Sequence, residues 1–378
     1  MGVYSNDNLE GLDYRDNDIY SPFYFNEEDF MKAGKVTILT ALVLITALAT
    51  LGFQKERPPA GEAFLTAANG FLETLNEEEA KLAVMDYDTP ERVAWHFIPK
   101  DARKGLVVKD MNMKQRRAAS QILRAGLSFL GYKKFTDIMK LEGVLHELEK
   151  ENPGRFPRDT ELYYYTIFGK PAKEGKWGVS IEGHHMSLNF VIEDGSVISS
   201  TPQVMCSNPT IVPADLAGFE KGARVLDNEE TLAFDLVNSL TDEQKKTGLI
   251  AEDAPREVRN AGEAQPPQTA AEGILLRTLE DEQKATLRKL ILTYTRTMAP
   301  EIAAKRLEEI KEAGWGKIKF AWAGATKPGI GHYYKVQGPT FIIEFVNTQP
   351  DAAGNPASHI HCLWRDMRGD FAIAVEKK

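Results

Sequence analysis

The chain has 378 residues, with 46 Lys and Arg against 55 Asp and Glu, giving a net charge of −9. A composition 43% hydrophobic and 27% charged belongs to a chain with a packed core, which excludes disordered and collagen-like classes. Two cysteines exclude a disulfide scaffold, and the acidic balance with no nucleic-acid motif argues against a partner made of phosphate backbone.

Residues 1–30 hold eight acidic side chains and, among bases, only Arg15. The long uncharged run is Val36 to Phe53, preceded by Lys32 and Lys35. Ala47-Leu48-Ala49 gives the small-x-small pattern of a signal-peptidase site, so residues 31–49 are expected to be a signal peptide cut near Ala49. Translation from Met31 would supply a conventional basic start, leaving residues 1–30 as a mis-assigned beginning. The alternative is an uncleaved membrane anchor over 36–53 behind an acidic tail. Both readings export residues 50–378, read as a single large domain.

From Gly61 to about Glu151 the spacing predicts helices. Phe64, Leu65, Ala68, Phe71, Leu72 and Leu75 form one apolar stripe, with Asn76 as its expected end. Met113 to Leu130 and Phe135 to Leu148 repeat the pattern, with Gly131 as the expected break. After Pro153 the chain turns aromatic and β-branched. Tyr163 to Phe168 and Trp177 to Glu193 read as strands, with Asp194-Gly195 turning into Val197-Ile198. Asn228 to Leu240 and Thr241 to Ile250 return to helix, Thr241 and Gln244 fitting a capping box. Pro255 to Gly273 reads as a long loop. Thr278 to Met298 and Pro300 to Ala313 are two further helices, and strands follow from Lys319 to Val375. Three similar segments beginning at Asn76, Thr241 and Glu280 are read as one acid-rich helix start used three times, favoured by the helix dipole, rather than as a repeat. The order of elements predicts α+β: a helical N-terminal part on a largely antiparallel sheet, with more helices between the strand-rich segments.

Of seven histidines, four lie in two clusters, Gly183-His184-His185 and His359-Ile360-His361. Alternation on a strand places His359 and His361 on one side, spaced to grip one metal ion. His184 and His185 would face opposite sides of an extended segment. His185, in phase with Ser187 and Asn189, is the better third ligand and His184 the other candidate. Glu344, alone among Phe341, Ile342, Ile343, Phe345 and Val346, is expensive to bury unpaired and is a candidate fourth ligand or general base. Imidazoles with a carboxylate suit Zn, Fe or Cu; the bland reading is that these histidines only hydrogen-bond neighbouring loops. Arg365 falls in phase with His359 and His361. It would hold an anionic group of a substrate, or form a salt bridge with Asp366, Asp370 or Glu344. Tyr333, Tyr334 and Asn189 are candidates to line a substrate pocket. Gly324, Gly329 and Gly331 lack phosphate-loop spacing, so no nucleotide cofactor is expected. Cys206 and Cys362 form either one disulfide or two buried thiols.

The segments Gly183-His184-His185-Met186-Ser187-Leu188-Asn189, Phe320 to Gly324, His332 to Phe341, Asn347-Thr348-Gln349 and His359 to Asp366 together resemble domain-of-unknown-function family 3500, roughly from Asn69 to Phe371. The resemblance implies the extent of the exported body and brings no activity with it. Three positions depart from the pattern it leads one to expect: Val346 stands for an acid, Ala372 for a glycine, and no histidine occurs in Val375-Glu376-Lys377-Lys378. The residues themselves leave two functions: an exported metal-dependent enzyme acting on a small, anionic substrate, or a ligand-binding module of the cell envelope using the same polar cleft.

Overall fold

The computed structural model describes residues 57–376, so the acidic segment, the signal peptide and the anchor run lie outside the described residues. Residues Pro58–Lys378 form one compact unit. Among the described residues no helix is long and apolar enough to cross a membrane.

The first half runs α1 (Ala60–Leu72), α2 (Glu77–Ala83), β1 (Val84–Met85), β2 (Leu106–Val107), α3 (Met113–Gly126), α4 (Phe129–Glu149), β3 (Tyr163–Phe168), β4 (Lys176–Gly183), β5 (Met186–Glu193), β6 (Ser196–Ser199) and β7 (Gln203–Met205). The second runs α5 (Asp227–Ser239), α6 (Asp242–Gly248), β8 (Leu249–Ala251), β9 (Ile274–Leu275), α7 (Asp281–Thr295), α8 (Pro300–Ala313), β10 (Lys319–Gly324), β11 (His332–Gln337), β12 (Phe341–Asn347) and β13 (Ile360–Asp366). The fold is α+β, as the order of elements led us to expect.

All thirteen strands join one mostly antiparallel sheet of order β1-β3-β4-β5-β7-β13-β12-β11-β10-β8. That order reads the same from both ends. β1 lies parallel to β3 as β8 lies parallel to β10, and β2 and β9 pair antiparallel with the same two strands. The two halves meet at the β7–β13 pair. They meet again where Leu127 bridges Met298, through Ser128 N–H donating to the Thr297 carbonyl (3.0 Å) and Ala299 N–H donating to the Gly126 carbonyl (2.9 Å). The chain is an internal duplication about a pseudo-two-fold axis.

This corrects the reading of the acid-rich helix starts. Asn76 with Glu79 and Thr241 with Gln244 are capping boxes at equivalent places, and Glu280 with Gln283 matches Asn112 with Gln115. The equivalence extends to side chains. Gln115 Nε2 donates to the Thr74 carbonyl and to Glu79, as Gln283 Nε2 donates to the Ser239 carbonyl and to Gln244. Asn76 therefore opens α2 and does not close α1. Gly131 likewise breaks no helix: Ser128 caps α4, and Gly131 lies within it because a Cβ there would stand 1.9 Å from the Thr297 carbonyl oxygen.

Each sheet half buries one face under helices, and α8 of the second half adds Ile302 and Ala303 to the first-half core. In the first half Phe64, Phe71, Ile122 and Phe135 pack on Tyr165, Ile181, Leu188 and Phe190; in the second Phe234, Leu287 and Ile291 pack on Phe320, Trp322, Tyr334 and Phe345. The other face of the second half lies under loops, where Trp95, Phe97 and Val258 cover Tyr333, Val346 and Leu363. Cys206 and Cys362 are buried free thiols.

Gly131→Ala should lose about 1–3 kcal/mol, since the backbone of the other half must move. Gly70→Ala in α1, where nothing lies within 4 Å of the added carbon, should gain about 0.5–1 kcal/mol. Urea denaturation of both variants checks the pair; equal midpoints would contradict the role of this contact.

Candidate metal centre

The segment read as one strand from Trp177 to Glu193 is two strands, with Gly183 paired to Met186 and His184-His185 as the tip of a tight hairpin. The parity argument for choosing between the two histidines therefore does not apply. His185 has φ 65°, in the left-handed region that a bulky side chain adopts only when its surroundings hold it. Here its N–H donates to the Phe97 carbonyl (2.7 Å) and its carbonyl accepts from Cys206 N–H (2.9 Å). Tyr163, crossing where Gly183 has no side chain, donates its hydroxyl to the His184 carbonyl (3.0 Å).

His359 directly precedes β13 and His361 lies in it, both on the same side. His359 Nε2 lies 2.7 Å from His185 Nε2 and 3.0 Å from His361 Nε2. The three ligand atoms lie within 4.8 Å of one another, so this group could hold a metal ion. His185 and His361 are buried, and His359 is half-buried. Ile360 bonds both ways to Ser207, the start of the path from β7, and the His359 N–H donates to Asn347 Oδ1 (2.9 Å). Asn347 in turn donates to Glu230 and Thr210.

The outer nitrogens are also held. His361 Nδ1 lies 2.8 Å from a carboxylate oxygen of Glu257, and His359 Nδ1 lies 3.3 Å from the Asn208 amide. Asn208 Oδ1 is buried without a partner. With the amide oxygen and nitrogen exchanged, the oxygen accepts His359 Nδ1–H and the nitrogen takes the buried place without a partner. Burial first, then the neighbouring imidazoles, pushes His185 well below the ordinary histidine pKa; burial and His361 push His359 down to about 2.

His184 belongs to a second cluster. Its Nδ1 contacts Glu142 of α4 and Arg158 Nη1 (3.3 Å), while its ring stacks on His185 with centroids 3.6 Å apart. Glu142, His184 and His185 are close enough to hold an ion. The Arg158 guanidinium already supplies positive charge there, which disfavours a second cation. His184 also lines a cleft with Lys100, Arg103, Glu142, Arg158 and Asp159.

The remaining sequence candidates lie elsewhere. Glu344 is fully buried and paired: its Oε1 accepts from Tyr333 (2.6 Å) and Arg259 (2.8 Å), so it is neither fourth ligand nor free base. The register sets it opposite Leu363, one step along the face from His361. Arg365 donates to Asp370 (2.6 Å) and to the carbonyls of Asn260 and Glu263. With no exposure it is a structural ion pair and meets no substrate. Tyr334 points to the helix side, its hydroxyl bonded to Tyr294 and to the Glu229 carbonyl. Asn189 is buried against Ser187 and the Pro202 carbonyl. Tyr333, Tyr334 and Asn189 therefore line no substrate pocket.

Residues 59–373 match the family described as Protein of unknown function (DUF3500). The chain belongs to this family. No curated protein and no solved structure matches it. Two departures from the expected family pattern now have a place. Val346 stands directly across from His361, where an acid would reach the histidine that Glu257 serves here. Ala372 has φ 56°, a conformation that favours glycine.

Glu257, Glu142, Arg158 and Asn208 were not among the sequence candidates. Glu257 carries one signal: Ala254-Pro255-Arg256-Glu257-Val258 matches Thr89-Pro90-Glu91-Arg92-Val93 in the other half.

In metal-free protein His185 and His359 stay neutral when folded, whereas the unfolded chain protonates them near their usual value of about 6.5. Below that pH the unfolded state binds more protons, so stability falls with pH at up to about 1.4 kcal/mol per unit for each residue. Urea midpoints should be flat from pH 7 to 8 and drop by pH 5. The double variant His185→Gln/His359→Gln should flatten the profile, and an unchanged slope would contradict the assignment.

Proposed function

We propose that the protein is an exported metal-dependent enzyme in which His185, His359 and His361 hold one Zn, Fe or Cu ion that acts on a small substrate. The observation that carries this reading is the convergence of three Nε2 atoms on His359. A neutral imidazole has one N–H. With Nδ1–H of His361 given to Glu257 and, in the exchanged Asn208 amide, that of His359 given to its oxygen, both Nε2 atoms present lone pairs to each other at 3.0 Å. A cation between them turns this repulsion into ligation. Tetrahedral ligation at about 2.1 Å sets donor atoms about 3.3 Å apart, so the rings need part by only a few tenths of an ångström. Glu257 and Asn208 are the outer partners that fix the tautomers of metal-binding histidines.

Three protein ligands leave a position open, and an ion there lowers the pKa of a water or polarises a carbonyl. The cleft beside His184 adjoins the centre through the His184–His185 ring contact. Its Lys100, Arg103 and Arg158 outnumber Glu142 and Asp159, which favours a substrate bearing an anionic group. Export rests on the apolar run after Lys32 and Lys35. A second reading, a ligand-binding module without turnover, is favoured by one observation: Glu344 and Arg365 are consumed by internal pairs, so neither is free to act on a substrate.

Elemental analysis by plasma mass spectrometry tests the centre. The purified full chain should carry about one Zn, Fe or Cu per molecule, and His359→Ala/His361→Ala should carry none. Metal-free protein with a melting temperature indifferent to these ions would sink the proposal. Glu257→Gln should fold normally and weaken metal affinity by about 10–100-fold, read by competition with a chelator; wild-type affinity would remove Glu257 from the centre. Metal binding without hydrolysis across a panel of small anionic esters and amides would favour the binding module.

A further inference from the structure

The duplication gives the metal centre a counterpart. The β4–β5 turn carrying His185 sits beside the end of β7, where Met205 pairs with Met186, and the start of β13 brings in His359 and His361. By the pseudo-two-fold the β11–β12 turn sits beside the end of β13, where Asp366 pairs with Phe341, and the start of β7 comes next to it. At that place is a pocket of about 40 Å³ beside Ser200, Thr201 and Thr340, whose charged lining is Lys305 and Arg306 of α8 with Arg368 against the carboxylates of Glu309 and Asp366. This volume accommodates a few water molecules or one small ion. α8, the counterpart of α4, brings Lys305 and Arg306 to this pocket.

Arg306 is buried, yet among the described residues it forms no ion pair. Its guanidinium donates to Ser200 Oγ (3.2 and 2.8 Å), the Ser200 carbonyl (2.8 Å) and Gln203 Oε1 (2.6 Å), all neutral oxygens, and lies 4.9 Å from the centre of the Trp364 ring. The carboxylates that line the pocket, Asp366 and Glu309, act on Arg306 only through space and make no hydrogen bond to it. Asp366 and Glu309 both accept from Arg368, at 2.7 and 2.8 Å. A buried cation normally has a counter-ion, because desolvation costs several kcal/mol that neutral acceptors only partly offset. The cost shows in the group itself, burial lowering its pKa to about 9. One guanidinium N–H is left after these four contacts, and the Lys305 ammonium, bonded to the Val197 carbonyl at 3.0 Å, keeps two more donors beside the same pocket.

We propose that this pocket binds a small oxyanion, a carboxylate or a phosphate group, on Arg306 and Lys305. It is a second ligand site, independent of the histidine centre and opposite to it in the charge it selects.

Calorimetric titration of the metal-free full chain with inorganic phosphate and with acetate, at constant ionic strength, tests the site. Saturable one-site binding of at least one is expected; phosphate alone identifies a phosphoryl ligand, and acetate binding at least as well identifies a carboxylate. Arg306→Gln should weaken binding by about tenfold or more and Lys305→Gln by about threefold, while His359→Ala/His361→Ala leaves it unchanged. Absence of saturable binding by either anion overturns the proposal, as does binding that survives both Arg306→Gln and Lys305→Gln undiminished. Should Arg306→Gln fail to fold, Lys305→Glu, at an exposed position on the same pocket, must abolish binding, and wild-type affinity in that variant overturns the proposal equally.

Discussion

The pairing of β7 with β13 is the constraint from which the site follows. It is short, with Leu363 on Val204 and Trp364 on Gln203, and it joins the two halves of the sheet, whose cores are separate clusters that α8 links by contributing to both. Because the pair is antiparallel, the end of β7 meets the beginning of β13. The end of β7 is fixed beside the β4–β5 hairpin by Met205 on Met186, so the tip of that hairpin meets His359 and His361. Imidazoles 174 residues apart reach 2.7 Å only through this register. A shift of one residue would turn His361 to the helix side and put Ile360 in its place.

What the sequence made legible were the features governed by local periodicity. Alternation placed His359 and His361 together, and capping residues marked Thr241 and Pro300 as helix starts. The same alternation separates Tyr333, under the loops, from Tyr334, under the helices. Local periodicity failed where tertiary contact decides. Gly131 looks like a helix break and is instead a place where two backbones touch, and the run through His184-His185 has the texture of a strand although the chain reverses there. A turn of two histidines has none of the glycine or asparagine that normally announces a hairpin, and the left-handed His185 is held by Phe97 and Cys206 from outside its own segment.

The carboxylate that matters was hidden for a different reason. Glu344 stands out in sequence because it interrupts an apolar strand, and burial does demand a partner for it; Arg259 meets that demand. Glu257 sits in a polar loop where one more acid is unremarkable. Yet this loop covers the open face of the second half-sheet, sending Glu257 to His361, Arg259 to Glu344, Glu272 to Lys335 and the carbonyls of Asn260 and Glu263 to Arg365. One segment without regular structure thus satisfies four buried or half-buried charged or titratable side chains of the sheet. The cost of leaving them unpaired is what orders it.

Duplication explains why the site is confined to one end. In a two-fold fold every notch occurs twice, and a notch shaped to bring a hairpin tip against a strand start offers the same close approach at both ends. Sequence divergence then decides what each holds. One end acquired imidazoles, with Glu257 behind them where the other half has Arg92, whose guanidinium bonds the Tyr87 and Phe371 carbonyls. The other acquired Arg306 among hydroxyls and neutral oxygens. Because the shared backbone positions both sets, a change in β7–β13 register would disturb both ends together, whereas a change of side chain alters one and leaves the other intact.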